Sequence, residues 1–338
     1  MRRLISQDWK RGLVMAAACG ALAASGFAQV LQPVILEIDL ENYVDYCSDV
    51  ADYSKLATNP SATTSMTRTF GTGVIIADIV AVNGKPAKGT YVLTGQGLFL
   101  RTAPTPGQVI ADTVRNGFGS EMFEILQPDG TQVGSIMTIG ATSGAAPPGS
   151  PSDLSGGNFA IIGGTGAYFG VQGQKGGKGG TVPQRTASAT EDPANRRAYG
   201  GGKMTFTLRI IPMFRPEIAS TSGGPAIVHS NDFSLVTASN PAHPGEVLSL
   251  FAKGLGPTSP SVDPGKPFPS APLALVNSPV EVTVNGTAAE VLGSAGFPGS
   301  VDGYQVNFRV PSGAASGTTS VQLSAAWIPG APVSIPVQ

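Results

Sequence analysis

The stretch Asn158-Phe159-Ala160-Ile161-Ile162-Gly163-Gly164-Thr165-Gly166-Ala167-Tyr168-Phe169-Gly170 decides how the first half of the chain is read. A run of strand character ends in Gly163, Gly164, Thr165 and Gly166. Such a run suits a dinucleotide when a helix follows and its N-terminal amides receive the pyrophosphate. Here Val171-Gln172-Gly173-Gln174-Lys175-Gly176-Gly177 follows, too rich in glycine for a stable helix. The nucleotide reading therefore falls. The glycines read as a tight turn with a bulge between two strands.

The neighbouring sequence keeps the same period. Leu36, Ile38 and Leu40 alternate with Glu37, Asp39 and Glu41, the mark of a strand with one dry face. Further strand-like runs cover residues 73–82, 89–100, 121–126, 133–139 and 203–211. Asn83-Gly84 and Asp129-Gly130 are hairpin signals between them. No helical period is sustained, and residues 52–57 are the best place for a short helix. Residues 141–157 and the Gly-, Lys- and Ser-rich stretch 173–202 read as loops, with 176–180 disordered. Beyond a linker over 215–224, runs at 247–252, 280–285, 304–310, 320–326 and 333–337 suggest a second, smaller β domain. The fold class is all-β: an N-terminal antiparallel barrel at 29–214 and a sandwich at 225–338.

Composition agrees with many short strands. Charged residues make up 13% of the 338, and glycine and proline number 45 and 28, which disfavours coiled coils and helical bundles. Arg2, Arg3, Lys10 and Arg11 precede the apolar run Gly12 to Ala24, and Gly26-Phe27-Ala28 offers small residues for cleavage. That is a signal-peptide pattern over residues 1–28, implying a secreted, periplasmic or envelope protein. Lipidation at Cys19 is a lesser alternative. Cleavage would leave a net charge of −4 and Cys47 as the remaining cysteine. A mildly acidic chain offers no footprint for nucleic acid, and no later segment reads as transmembrane.

The stretch 158–173 resembles the β-barrel superfamily of dirigent proteins and allene oxide cyclases, where a comparable glycine turn joins two barrel strands. Gln172-Gly173 stands where those families often carry Arg-Gly. The resemblance implies a barrel, with a small apolar or phenolic ligand in its lumen and association into oligomers. In the second half, Pro244 to Ala252, Gly254-Leu255-Gly256-Pro257, Val280 to Gly286 and Gly303 to Pro311 resemble the Ig-like, IPT/TIG-like domain appended to secreted bacterial proteins. That resemblance implies contact with a surface polymer or a partner protein.

Reactive groups are few. The two histidines, His229 and His243, lie outside the barrel segment and read as surface or loop residues. A barrel zinc site or Ser-His-Asp triad therefore has no histidine to use. No cofactor or metal motif is present, and Asn285-Gly286-Thr287 reads as a hairpin turn before it reads as a sequon. The candidate pocket residues are Tyr91, Arg115, Glu121, Glu124, Tyr168 and Arg209. Alternation places one of Glu121 and Glu124 toward the lumen. There it needs a cation, with Arg101, Arg115 and Arg209 as candidates, or else carries a raised pKa suited to acid/base work; the plainer reading is that both glutamates flank an edge or rim and are solvated. Two functions stay open: an extracellular binding module without classical catalysis, and a pocket that steers cyclisation or coupling of a small ligand by confinement.

Overall fold

The protein is described by a computed structural model, here for residues 32–47, 69–99, 116–141, 158–182, 185–188 and 190–338. The signal peptide expected over 1–28, the helix expected at 52–57, the loop expected at 141–157 apart from Ala141, Arg101 and Arg115 lie outside these residues.

The first half closes into an antiparallel barrel of eight strands. They are β1 (Val34–Cys47), β2 (Thr69–Val82), β3 (Lys85–Phe99), β4 (Asn116–Leu126), β5 (Gln132–Ala141), β6 (Asn158–Gly166), β7 (Gln172–Val182) and β9 (Gly202–Ile211). β9 pairs with β1, and β1 with β2, which closes the ring. β8 (Arg185–Ser188) adds to the end of β1 in parallel. A one-turn helix, α1 (Asn195–Tyr199), follows it. Asp78 on β2 accepts hydrogen bonds from Arg196 at 2.6 Å, Arg197 at 2.7 Å and Asn42 at 2.9 Å, and so ties α1 to the barrel wall.

The two ends of the barrel differ. At one end the turns are short, and Asn83-Gly84 takes left-handed φ values of 51° and 71°, as a two-residue hairpin requires. The other end carries the long connections. Near the short-turn end the lumen is filled by Leu36, Ile38, Ile79, Phe123, Ile125, Ile136, Leu208 and Ile210, all essentially buried.

The stretch expected to be a loop at 173–202 is mostly regular structure. Residues 172–182 form β7, which pairs with β9 from Gln172↔Ile211 onward. The glycines did not read as a strand because they hide its period, yet a paired backbone needs no side chains. Gly173 is close-packed: a Cβ there would sit 2.0 Å from the Arg209 carbonyl oxygen.

The second half forms one curled antiparallel sheet of eleven strands. The segment expected as a linker contains β10 (Glu217–Ile218), which pairs with β14 (Val247–Lys253), and β11 (Ser220–Thr221), which pairs with β12 (Gly224–Pro225). β13 (Ile227–His229), β15 (Thr258–Ser259) and β16 (Leu275–Val276) are short. β17 (Val280–Val284), β18 (Thr287–Gly296), β19 (Tyr304–Arg309), β20 (Gly317–Ala325), β21 (Ile328–Pro329) and β22 (Val333–Val337) complete the order. Asn285-Gly286 makes the β17–β18 turn with both φ positive, so the sequon position is a hairpin tip.

Val34–Gln338 is one compact unit. Its seam is the short-turn end of the barrel. The tip of the β20–β21 hairpin, Ala326-Trp327, packs into the same hydrophobic cluster as the barrel core. Both tip residues have left-handed φ, 50° and 60°, a conformation costing about 1–3 kcal/mol each for non-glycine residues. Burial of the Trp327 indole offsets it. Gln127 donates to the Asn277 carbonyl at 2.7 Å, and Lys85 pairs with Glu281 across the same seam.

Candidate functional site

Alternation on β4 turns Glu121, Phe123 and Ile125 inward and leaves Glu124 on the outer face. Glu121 is 3% exposed, so it is not a solvated rim residue. Its cation is Lys175 of β7, with Nζ 2.6 Å from Oε1. Tyr91 of β3 donates to the same oxygen at 2.7 Å, and Thr138 of β5 donates to Oε2 at 2.5 Å. Both carboxylate oxygens are therefore committed. Lys175 Nζ also lies over the Phe206 ring at 3.6 Å and the Phe159 ring at 4.5 Å. Tyr43 stacks on Tyr91 with ring centroids 5.8 Å apart.

The electrostatics follow from this burial. Removal from water pulls the Lys175 ammonium below its usual range, against the opposing pull of Glu121. Burial pushes the Tyr91 phenol well above its ordinary value, and the Glu121 carboxylate adds to the shift. Tyr43 is raised by burial as well. Both phenols therefore stay protonated at neutral pH and act as donors.

The strand register shows what lies beside the cluster. Ile75↔Leu93↔Glu121↔Thr138 is one row across β2 to β5. Two residues toward the long-connection end, on the same inward face, the row is Gly73↔Gly95↔Gly119↔Gly140. The next row is Gly71↔Gly97↔Gly117. One side of the barrel wall above Glu121 is thus bare backbone.

The other candidates lie elsewhere. Arg209 sits on the outer side of β9, between the inward-facing Leu208 and Ile210. Tyr168 is buried at the short-turn end, its hydroxyl 3.5 Å from the Ala326 carbonyl oxygen. Burial raises its pKa. The motif glycines are structural. Gly164 abuts the Ser135 carbonyl oxygen, Gly166 has φ 61°, and Thr165 shares a 2.7 Å hydrogen bond with Ser135. Gly163 pairs with Met137 just before the register shift of β5.

Sequence reasoning missed Lys175, Thr138 and Tyr43. Thr138 was within reach, since strands paired outward from Asp129-Gly130 bring it opposite Glu121. Lys175 was hidden by its glycine neighbours. His229, expected on the surface, is 5% exposed, because β13 pairs with β14 and carries it beneath the sheet edge. Among the described residues, no three His, Cys, Asp or Glu side chains converge on a metal-holding arrangement. No helix among them is long and apolar enough to cross a membrane.

No protein-family model matches the chain, and no curated protein does. Among solved structures, a polysaccharide lyase aligns over 79% of this chain at 8% identity, with a TM-score of 0.17. This chain spans 34% of the length of that one. A likeness at that score carries no inference about fold or activity.

Proposed function

We propose that the chain is an exported binding protein whose barrel holds a small, largely apolar or phenolic guest in its glycine-walled half. One observation carries this reading: Glu121 is buried in mid-lumen, fully partnered, directly beneath the row of paired glycines. An ion pair neutralised in this way has no free acid or base for chemistry, but it offers a fixed polar floor. The glycine walls carry no side chains of their own beside Phe159, Phe206 and the tyrosines, where a flat ligand would lie, and the Asp45 carboxylate borders Gly73 as a further polar group. The N-terminal basic and apolar pattern supports export. The second sheet seals the opposite end, and its Ig-like sequence pattern fits a role in contact with a partner outside the cell.

Titration with N-phenyl-1-naphthylamine, a neutral aromatic fluorophore, tests the reading. Saturable enhancement is expected for the natural chain, and its loss is expected in both Gly95→Val and Gly140→Val with thermal unfolding unchanged. No enhancement, or equal binding in the two variants, would overturn it.

A second reading is steering of a cyclisation or coupling by confinement. It is favoured by the sharing of one Glu121 oxygen between Tyr91 and Lys175, a connected proton path. A Tyr91→Phe change that altered product distribution without altering affinity would select this reading.

A further inference from the structure

A cavity lies outside the lumen, at the seam of barrel and sheet. It is a cleft of about 370 Å³. Phe268 and Tyr304 form a buried floor. Phe169, from the β6–β7 turn, and Phe214, just after β9, line it as well. These two rings are 64% and 62% exposed. Asp263, Lys266 and Asp302 also line it, and among the described residues none of the three forms an ion pair.

The chemistry of this lining narrows the ligand. Two exposed phenyl rings on one cleft call for an apolar surface to cover them. The volume falls at the low end of small-molecule sites. Two carboxylates against one ammonium repel anions and accept hydrogen bonds from hydroxyls, which are short and strong when the acceptor is charged. A pyranose combines these features, with a C–H face for stacking and a rim of hydroxyl donors. We propose that the cleft binds one or two residues of a neutral saccharide, with Phe169 and Phe214 stacking on the sugar and Asp263 and Asp302 taking its hydroxyls.

Saturation-transfer NMR on the full chain tests this, with cellobiose, maltotriose and xylotriose as neutral probes and a trigalacturonide, choline and a proline-rich peptide as competitors in kind. At least one neutral sugar should receive transfer at its ring C–H protons. Affinity should weaken about tenfold in Phe169→Ala and in Phe214→Ala. It should be unchanged in Phe233→Ala, which removes an exposed ring away from the cleft, and in Gly95→Val, which alters the lumen. Transfer to none of the neutral sugars, transfer confined to the uronide, choline or peptide, or binding that survives the double phenylalanine variant would overturn the proposal.

Discussion

The barrel and the second sheet bury cores of different character. The second core is almost wholly apolar, built on Leu248, Leu250, Val306, Phe308, Val321 and Leu323. The barrel core contains the same aliphatic material and also encloses Glu121, Lys175 and Thr138. A chain of this composition therefore folds a second β core with its buried basic group, His229, at the edge and not in the interior. A buried ion pair is weak evidence for stability, because apolar replacements of similar volume are often neutral or stabilising. The contrast points to a use for the barrel cluster other than holding the barrel together.

The sharpest way to break this comparison is to remove one partner. Glu121→Ala leaves the Lys175 ammonium buried and unpaired, and should destabilise the chain by about 3–5 kcal/mol in urea unfolding. Glu121→Leu combined with Lys175→Met should recover most of that loss while abolishing fluorophore binding. A double variant as unstable as the single one would make the pair structural, and the contrast with the second core would lose its meaning.

The seam is the next test. Trp327→Ala removes an indole packed into the barrel core from the other half of the molecule, and should cost about 3 kcal/mol. Unfolding should then separate into two transitions, since the hairpin tip joins the second half to the barrel core. Thr138→Val should have a smaller effect. It removes one donor from Glu121 Oε2 in a buried site, worth about 1–2 kcal/mol, and it keeps the β-branched shape. Thr207→Val, at a buried hydroxyl without a hydrogen-bond partner, should be neutral by the same measurement.

Much of the barrel was legible because its strands alternate. Leu36, Ile38 and Leu40, and Glu121, Phe123 and Ile125, face inward as a period of two requires. The hairpins at Asn83-Gly84 and Asn285-Gly286 follow from turn chemistry. The site was legible in part. Glu121 and Tyr91 announce themselves as polar groups on strands with a dry face. Lys175 does not, because Gly173, Gly176 and Gly177 erase the apolar signal around it, and glycine reads locally as loop. Its strand character comes from hydrogen bonds to β9 some thirty residues away. The glycine row has the same cause: the separate Gly-x-Gly motifs at 71–73, 95–97 and 117–119 become one surface when register aligns them.

The second core has its own charged group at its edge, and it gives the finest test of the contrast. His229 Nδ1 lies 2.5 Å from Glu246 Oε1, and Nε2 lies 3.3 Å from the Asn240 carbonyl oxygen. Burial works to lower the imidazole pKa, but the Glu246 carboxylate, the Asn240 carbonyl and the Asp232 charge outweigh it, and the net shift is upward. Both ring nitrogens face acceptors, so the protonated form satisfies both and the neutral form satisfies one. A group whose folded pKa is raised adds stability that is fully present below its unfolded value of about 6.5 and is lost as pH rises through the folded value. The natural chain should therefore lose more stability between pH 6 and pH 9 than His229→Gln does. Equal slopes would show that this histidine gains nothing from its charge, leaving the barrel as the place where buried ionisation matters.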